Sequence, residues 1–321
     1  MAFVLGNYET IDPLDLIEEV SAFELEMRDF LLEQDDQVLV MTESGETDSV
    51  VTESVMDTIK NTIKRVVAAI VKWAKKAYEF FKGVWEKIKI KLFGEYTVAL
   101  RKYRKLIEKH KKEVAERLKG INLVWYKKGG LDYITKTLVP LIKHGPKNDT
   151  TSRSKDEVLD SLYKEFDLDR TKPVIEQLRA KYLFEEDYLK SGEGIQEILP
   201  GVKFGSDLLT KYLEMCLDDG RYLKSINSNL DSVKHLNSLG QVFGKLGELY
   251  MKGVNKTDMD EKDKFKATAF VIRSTEYRKI VHSCITFFQE TNKYILTTAT
   301  STLIKAGKIA MKIEEEKGVG K

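Results

Sequence analysis

Proline occurs at only five positions, 13, 140, 146, 173 and 200, so residues 14–139 and 201–321 contain none. Proline removes a backbone donor and clashes with the preceding helical turn, so its absence permits long unbroken helices over both stretches. The apolar spacing uses that freedom. Ile59, Ile63, Val66, Ile70, Trp73, Ala77, Phe80 and Val84 recur at steps of 4, 3, 4, 3, 4, 3 and 4. Such steps make one apolar stripe on a helix of roughly 30 residues. After KIKIKLFGEY a second helix is expected, with Leu100, Tyr103, Ile107, His110, Val114 and Leu118 facing inward. Gly94 is the expected turn between them, so residues 58–120 read as a basic, antiparallel helical hairpin. KIKIKLF is the longest alternating stretch and also admits a short strand.

Helical patterns continue in EVLDSLYKEF, PVIEQLRAKYLFEEDYL, DLLTKYLEMCL and a long pair over about 222–251 and 264–313. Between them, 146–156 and Ser191–Gly205 have loop composition. The expected fold is therefore all-α, with 121–321 forming a C-terminal helical bundle. Upstream, Leu16, Val20, Phe23, Met27, Phe30 and Leu31 lie at helical spacing in an acidic amphipathic segment. Residues 41–57 are rich in Ser, Thr and acids and read as linker.

The net charge of +2 conceals two opposed pieces. Residues 1–57 hold 16 acids against Arg28 alone, a balance of −15, while 58–119 hold 19 Lys/Arg against 6 Glu, a balance of +13. Asymmetry of this size points to a polyanion or a membrane surface as partner for the basic part, with the acidic part as an internal mask or a separate tail. Off the stripe, Lys60, Lys64, Arg65, Lys72, Lys75, Lys76 and Lys82 form a candidate nucleic-acid-binding face. The second helix adds Arg101, Lys102, Arg104, Lys105, Lys109, Lys111 and Lys112. The same helix, with Trp73, Phe80, Phe81 and Trp85 opposite its lysines, also suits a lipid interface if the aromatic row is exposed. Burial of that row in a core would leave the lysines free for phosphates and remove the lipid-binding face.

No residue set declares a reaction. His110, His144, His235 and His282 are scattered without ligand spacing, and no phosphate-cradling or nucleophile motif occurs. Cys216 and Cys284 stand in apolar helical contexts without CxxC spacing, as expected of reduced, buried thiols. Neither catalytic residues nor a metal or other cofactor is expected. The N-terminus lacks the basic start and apolar core of a secretory signal, and no apolar run reaches transmembrane length.

The acidic N-terminal part, a Ser44-Gly45-Glu46 tripeptide at the charge boundary and a basic, mostly helical remainder together resemble the internal head proteins of giant tailed phages of the phiKZ-like group. That resemblance implies a non-enzymatic virion protein made as a precursor, whose propeptide directs it into the prohead. A prohead protease then cuts after a small-residue-x-Glu motif, here between Glu46 and Thr47. The implied partners are packaged double-stranded DNA, the protease and other capsid-interior proteins, with the host cytoplasm as the location before assembly. Loss of 1–46, with 13 acids and one base, would raise the net charge from +2 to +14. Five small-x-Glu tripeptides occur, beginning at Ala22, Ser44, Ala77, Ser191 and Ser274, and only the linker position of Ser44 singles it out. Two alternatives stand beside this reading: a membrane-active helical protein restrained by its acidic segment, and an uncleaved nucleic-acid-binding scaffold.

Overall fold

A computed structural model describes residues 53–147, 154–187, 206–254 and 261–318. The acidic segment, the Ser44–Thr47 cleavage motif and the whole Ser191–Gly205 connection lie outside the described residues. Helix α1, Glu53–Lys87, passes through a π-helical turn, Ile88–Leu92, into α2, Phe93–Lys109. After His110 come α3, Lys111–Arg117, and strand β1, Asn122–Tyr126. A second helix with a π-helical turn follows, made of α4, Gly130–Tyr133, the turn Ile134–Leu138, and α5, Val139–His144. The chain continues with α6, Lys155–Glu165, α7, Val174–Tyr182, β2, Leu183–Asp187, and α8, Ser206–Cys216. Two long helices finish it: α9, Asp219–Val254, and α10, Glu261–Gly318. The fold is all-α, and the described strands form only one antiparallel pair, running from Asn122 opposite Asp187 to Tyr126 opposite Leu183.

The expected hairpin over 58–120 is not what the chain adopts. Lys87, Leu92 and Phe93 all keep right-handed helical dihedrals, and Gly94 continues the helix instead of turning it. The reason lies in the spacing beyond Val84. Val84, Ile88, Leu92, Tyr96 and Leu100 follow at four successive steps of 4, and each such step rotates about 40° around a 3.6-residue helix. One extra residue in a π turn takes back about 100° of that drift, so the stripe returns to the core without a reversal. Ile88 and Tyr96 are both buried, whereas Ile90 points outward, so KIKIKLF forms this turn and not a strand.

Packing partners differ along the continuous helix. Helix α1 lies antiparallel on α9, where Gly240 meets Val71 and Gly247 meets Val67. Helix α2 instead lies parallel to α10, with Tyr103 at the level of Gly307 and His110 at the level of Glu314. One apolar core runs from Ile59 to Ile313 and includes residues of every long helix. The basic segment is therefore built into the same core as the C-terminal helices.

The stripe is core throughout, with one exchange: Phe80 is half-buried and Phe81 takes the inner position. Trp73 and Trp85 are fully buried, although neither indole N–H has a hydrogen-bond partner among the described residues. Leaving such a donor unpaired costs about 1–3 kcal/mol. Burying an aromatic side chain of about 150–250 Å² contributes roughly 4–6 kcal/mol, so apolar burial wins.

Elsewhere the expected helix over PVIEQLRAKYLFEEDYL stops at Tyr182, because Leu183 turns extended and LFEED pairs with β1. Leu123–Tyr126 of β1 are all buried, a continuous apolar run covered on both faces. Such a run carries no alternation to announce a strand. Pro140 explains the second π turn. It has no N–H for the carbonyl four residues back and its ring crowds that carbonyl, so the helix widens just ahead of it.

Candidate nucleic-acid interface

Because the stripe faces α9 and α10, the off-stripe cations of α1 and α2 face solvent. Lys64, Arg65, Lys72, Lys75, Lys76, Lys82, Arg101, Lys102, Arg104, Lys105, Lys109 and Lys112 are exposed, and Lys60 and Lys111 are half-buried. They divide into two groups. One covers 60–76 on α1, the other 101–112 on α2 and the start of α3, and between them Lys82 and Lys89 are exposed beside Glu79, Glu86, Ile90, Glu95 and Val98. Lys91 does not join either group, since its ammonium is turned inward.

Carboxylates neutralise part of this face. Lys82 pairs with Glu86 at 3.8 Å and Arg104 with Glu108 at 3.0 Å, both one helical turn apart and exposed. The α2–α3 end is committed more firmly. Glu314 accepts from Lys109 at 2.5 Å and lies 2.5 Å from Nε2 of buried His110. Lys111 donates to Glu214 of α8 at 2.5 Å, Arg117 holds both oxygens of Glu316 at 2.9 and 3.0 Å, and Lys317 reaches Glu113 at 2.6 Å. Hydrogen bonds from Lys109 and then His110 pull the Glu314 carboxyl down to about 2. Lys317 likewise lowers Glu113, and Lys111 lowers Glu214.

Two of the sequence-derived candidates, Lys109 and Lys111, thus serve chiefly to fasten α10 and α8. Their partners stand about 100–200 positions away in the chain, beyond the reach of local charge counting. Lys60, Lys64, Arg65, Lys75, Arg101, Lys105 and Lys112 have no ion pair among the described residues. Lys102 lies over its neighbour's ring, 5.0 Å from the Tyr103 centroid. The fold also supplies cations that a reading confined to 58–119 misses. Lys308 and Lys312 are exposed on α10, which runs parallel to α2 with Gly307 against Tyr103. Together these groups form a charged outer surface with a contour on the order of 80 Å along α1 and α2.

Some polar groups inside the molecule tie its helices together. Arg273 pairs with Glu165 inside the molecule, and Arg273 also donates to the Val158 carbonyl at 3.3 Å. Burial holds His282 down to about 4, while His144 is exposed and His235 half-buried. No cluster of three metal-ligating side chains occurs among the described residues. Burial pushes the free thiols of Cys216 and Cys284 up to about 12, which keeps them protonated and poorly nucleophilic at neutral pH.

A cleft of about 680 Å³ opens between the α6–α7 connection and α7, lined by Lys164, Asp167, Asp169, Lys172, Gln177 and Lys181. Two of its polar arms bond the loop itself: Gln177 bonds the backbone at Asp169 and Lys172, and Lys181 bonds Asp167.

Two further observations bear on the sequence expectations. Trp73, Phe81 and Trp85, the row a lipid-facing helix requires, are buried core, and no described helix is long and apolar enough to cross a membrane. Among the small-x-Glu tripeptides, Ala77 and Ser274 are wholly buried within α1 and α10, whereas Ala22, Ser44 and Ser191 lie outside the described residues. No protein-family model matches the chain, no curated protein matches it, and no solved structure matches it.

Proposed function

We propose that this chain is a virion protein of a phage capsid interior, made as a precursor and packaged with double-stranded DNA. The observation that carries the reading is the outer row of cations on α1, α2 and the start of α3, of which seven have no ion pair among the described residues. Side chains spread along one helical ridge suit phosphates, contacts that fix position and carry no sequence information directly. Affinity of that kind is sequence-independent and weakens as salt rises. The acidic N-terminal part opposes it. In this reading residues 1–46 address the precursor to the assembling head and weaken early DNA contact through their charge. A prohead protease then cuts after Glu46, leaving Thr47 as the mature N-terminus beside other capsid-interior proteins.

Intact-mass measurement on protein recovered from mature particles tests the scheme. A chain beginning at Thr47 is the expected result, and particles carrying the full chain from Met1 or Ala2 would remove the cleavage step.

A further inference from the structure

The outward ridge of α1 and α2 changes character at the π-helical turn. Ile90 is 76% exposed and Val98 66% exposed, more than any other large apolar side chain among the described residues. Between them a Cβ added at Gly94 would meet nothing within 4 Å. Once the extra residue of the π turn is discounted, positions 90, 94 and 98 fall on one face at about 100° per residue. Two apolar knobs thus flank an open dent on a ridge that is otherwise charged. Exposed Lys89 precedes them, and exposed Arg101, Lys102 and Lys105 follow. Phosphate contacts make no use of such knobs, so the patch fits a partner that offers carboxylates and an apolar row together.

Segment 14–36 of the same chain has both. Its row Leu16, Val20, Phe23, Met27 and Phe30 has helical spacing, and nine acids stand against Arg28 alone. Its tether is long enough. With Phe23 and Met27 over Gly94 and the segment antiparallel to the ridge, its end near residue 34 comes level with residue 85, about 48 Å along α1 from Glu53. The intervening 35–52 spans up to about 60 Å when extended.

We propose that segment 14–36 docks in cis on the Ile90–Gly94–Val98 ridge, its apolar row on the two knobs and its carboxylates toward Lys89, Arg101, Lys102 and Lys105. The contact rests on the proposed function only for its consequence, that trimming after Glu46 releases this ridge to DNA.

Zero-length carbodiimide coupling of the purified full chain over a dilution series, with mass-spectrometric mapping, tests it. The expected result is amide links from acids of 14–36 to Lys89, Lys102 or Lys105 at a yield that does not fall on dilution. In an Ile90→Ser, Val98→Ser double variant with an unchanged melting curve, that yield drops at least about tenfold, because two aliphatic contacts are lost. Absence of links overturns the docking, and so do links lost on dilution, which mean a second copy. Links undiminished in the variant also overturn it, since charge alone then holds the segment. Salt-sensitive DNA binding measured on the chain cut after Glu46 separates the two ideas. If the cut chain binds DNA and the full chain gives no links, only the docking fails; if the full chain gives links and the cut chain does not bind DNA, only the DNA reading fails.

Discussion

Gly307 of α10 faces the Tyr103 ring of α2 so closely that an added methyl group would lie 2.2 Å from a ring carbon. Tyr103 is itself buried, so its ring has little room to retreat. Gly307→Ala is expected to destabilise the fold by about 1–3 kcal/mol, the usual cost of overpacking a tight core. Gly244 on α9 supplies the control. A Cβ there meets nothing within 4 Å, so Gly244→Ala should stabilise by about 0.5–1 kcal/mol through helix propensity alone. Denaturant titration of both variants checks the pair, and a gain of stability in both would contradict the close α2–α10 approach. Both glycines are ordinary letters in the chain. What separates them is the helix opposite, contributed in one case by a residue 204 positions away.

At the scale of elements, Gly94 distinguishes a continuous helix from a turned one. In a turn with left-handed backbone, alanine there would be strained. Inside a helix with open space around it, Gly94→Ala is expected to raise stability by about 0.5–1 kcal/mol and to increase helicity slightly by circular dichroism. A drop in stability would restore the hairpin.

Legibility in the sequence follows from period. The 4-3 alternation from Ile59 to Val84 marks α1 because an amphipathic helix repeats its buried face every 3.6 residues, and the absence of proline after 200 allows α9 and α10. The run of fours from Val84 to Leu100 was a visible sign of the π turn, yet a glycine beside it reads as a turn just as readily. Strand β1 had no period to show, since Leu123–Tyr126 are buried together. The candidate site divides in the same way. Lysines off the stripe were bound to face solvent, but the carboxylates that claim Lys109 and Lys111 depend on where α8 and α10 come to rest.

For the whole molecule, the last turns of α10 are fastened to α2 and α3 by Glu314, Glu316 and Lys317. The Glu314 carboxyl is lowered in the folded state from its ordinary 4.5 to about 2. Its contribution is therefore fully present above the unfolded value and is lost as pH falls toward the folded one. The difference in melting temperature between the parent chain and Glu314→Gln should be present at pH 6, shrink below about pH 4.5 and vanish near pH 2. A difference that stays constant over that window would show the ion pairs to be idle.

The parallel seating of α2 on α10 also has a consequence in time. Tyr103 leaves the ribosome 204 residues ahead of Gly307. At about 5–20 residues per second its partner is synthesised roughly 10–40 s later. For that interval the apolar side of α2 lacks the helix that covers it in the folded chain, and it is open to association with other exposed apolar surface.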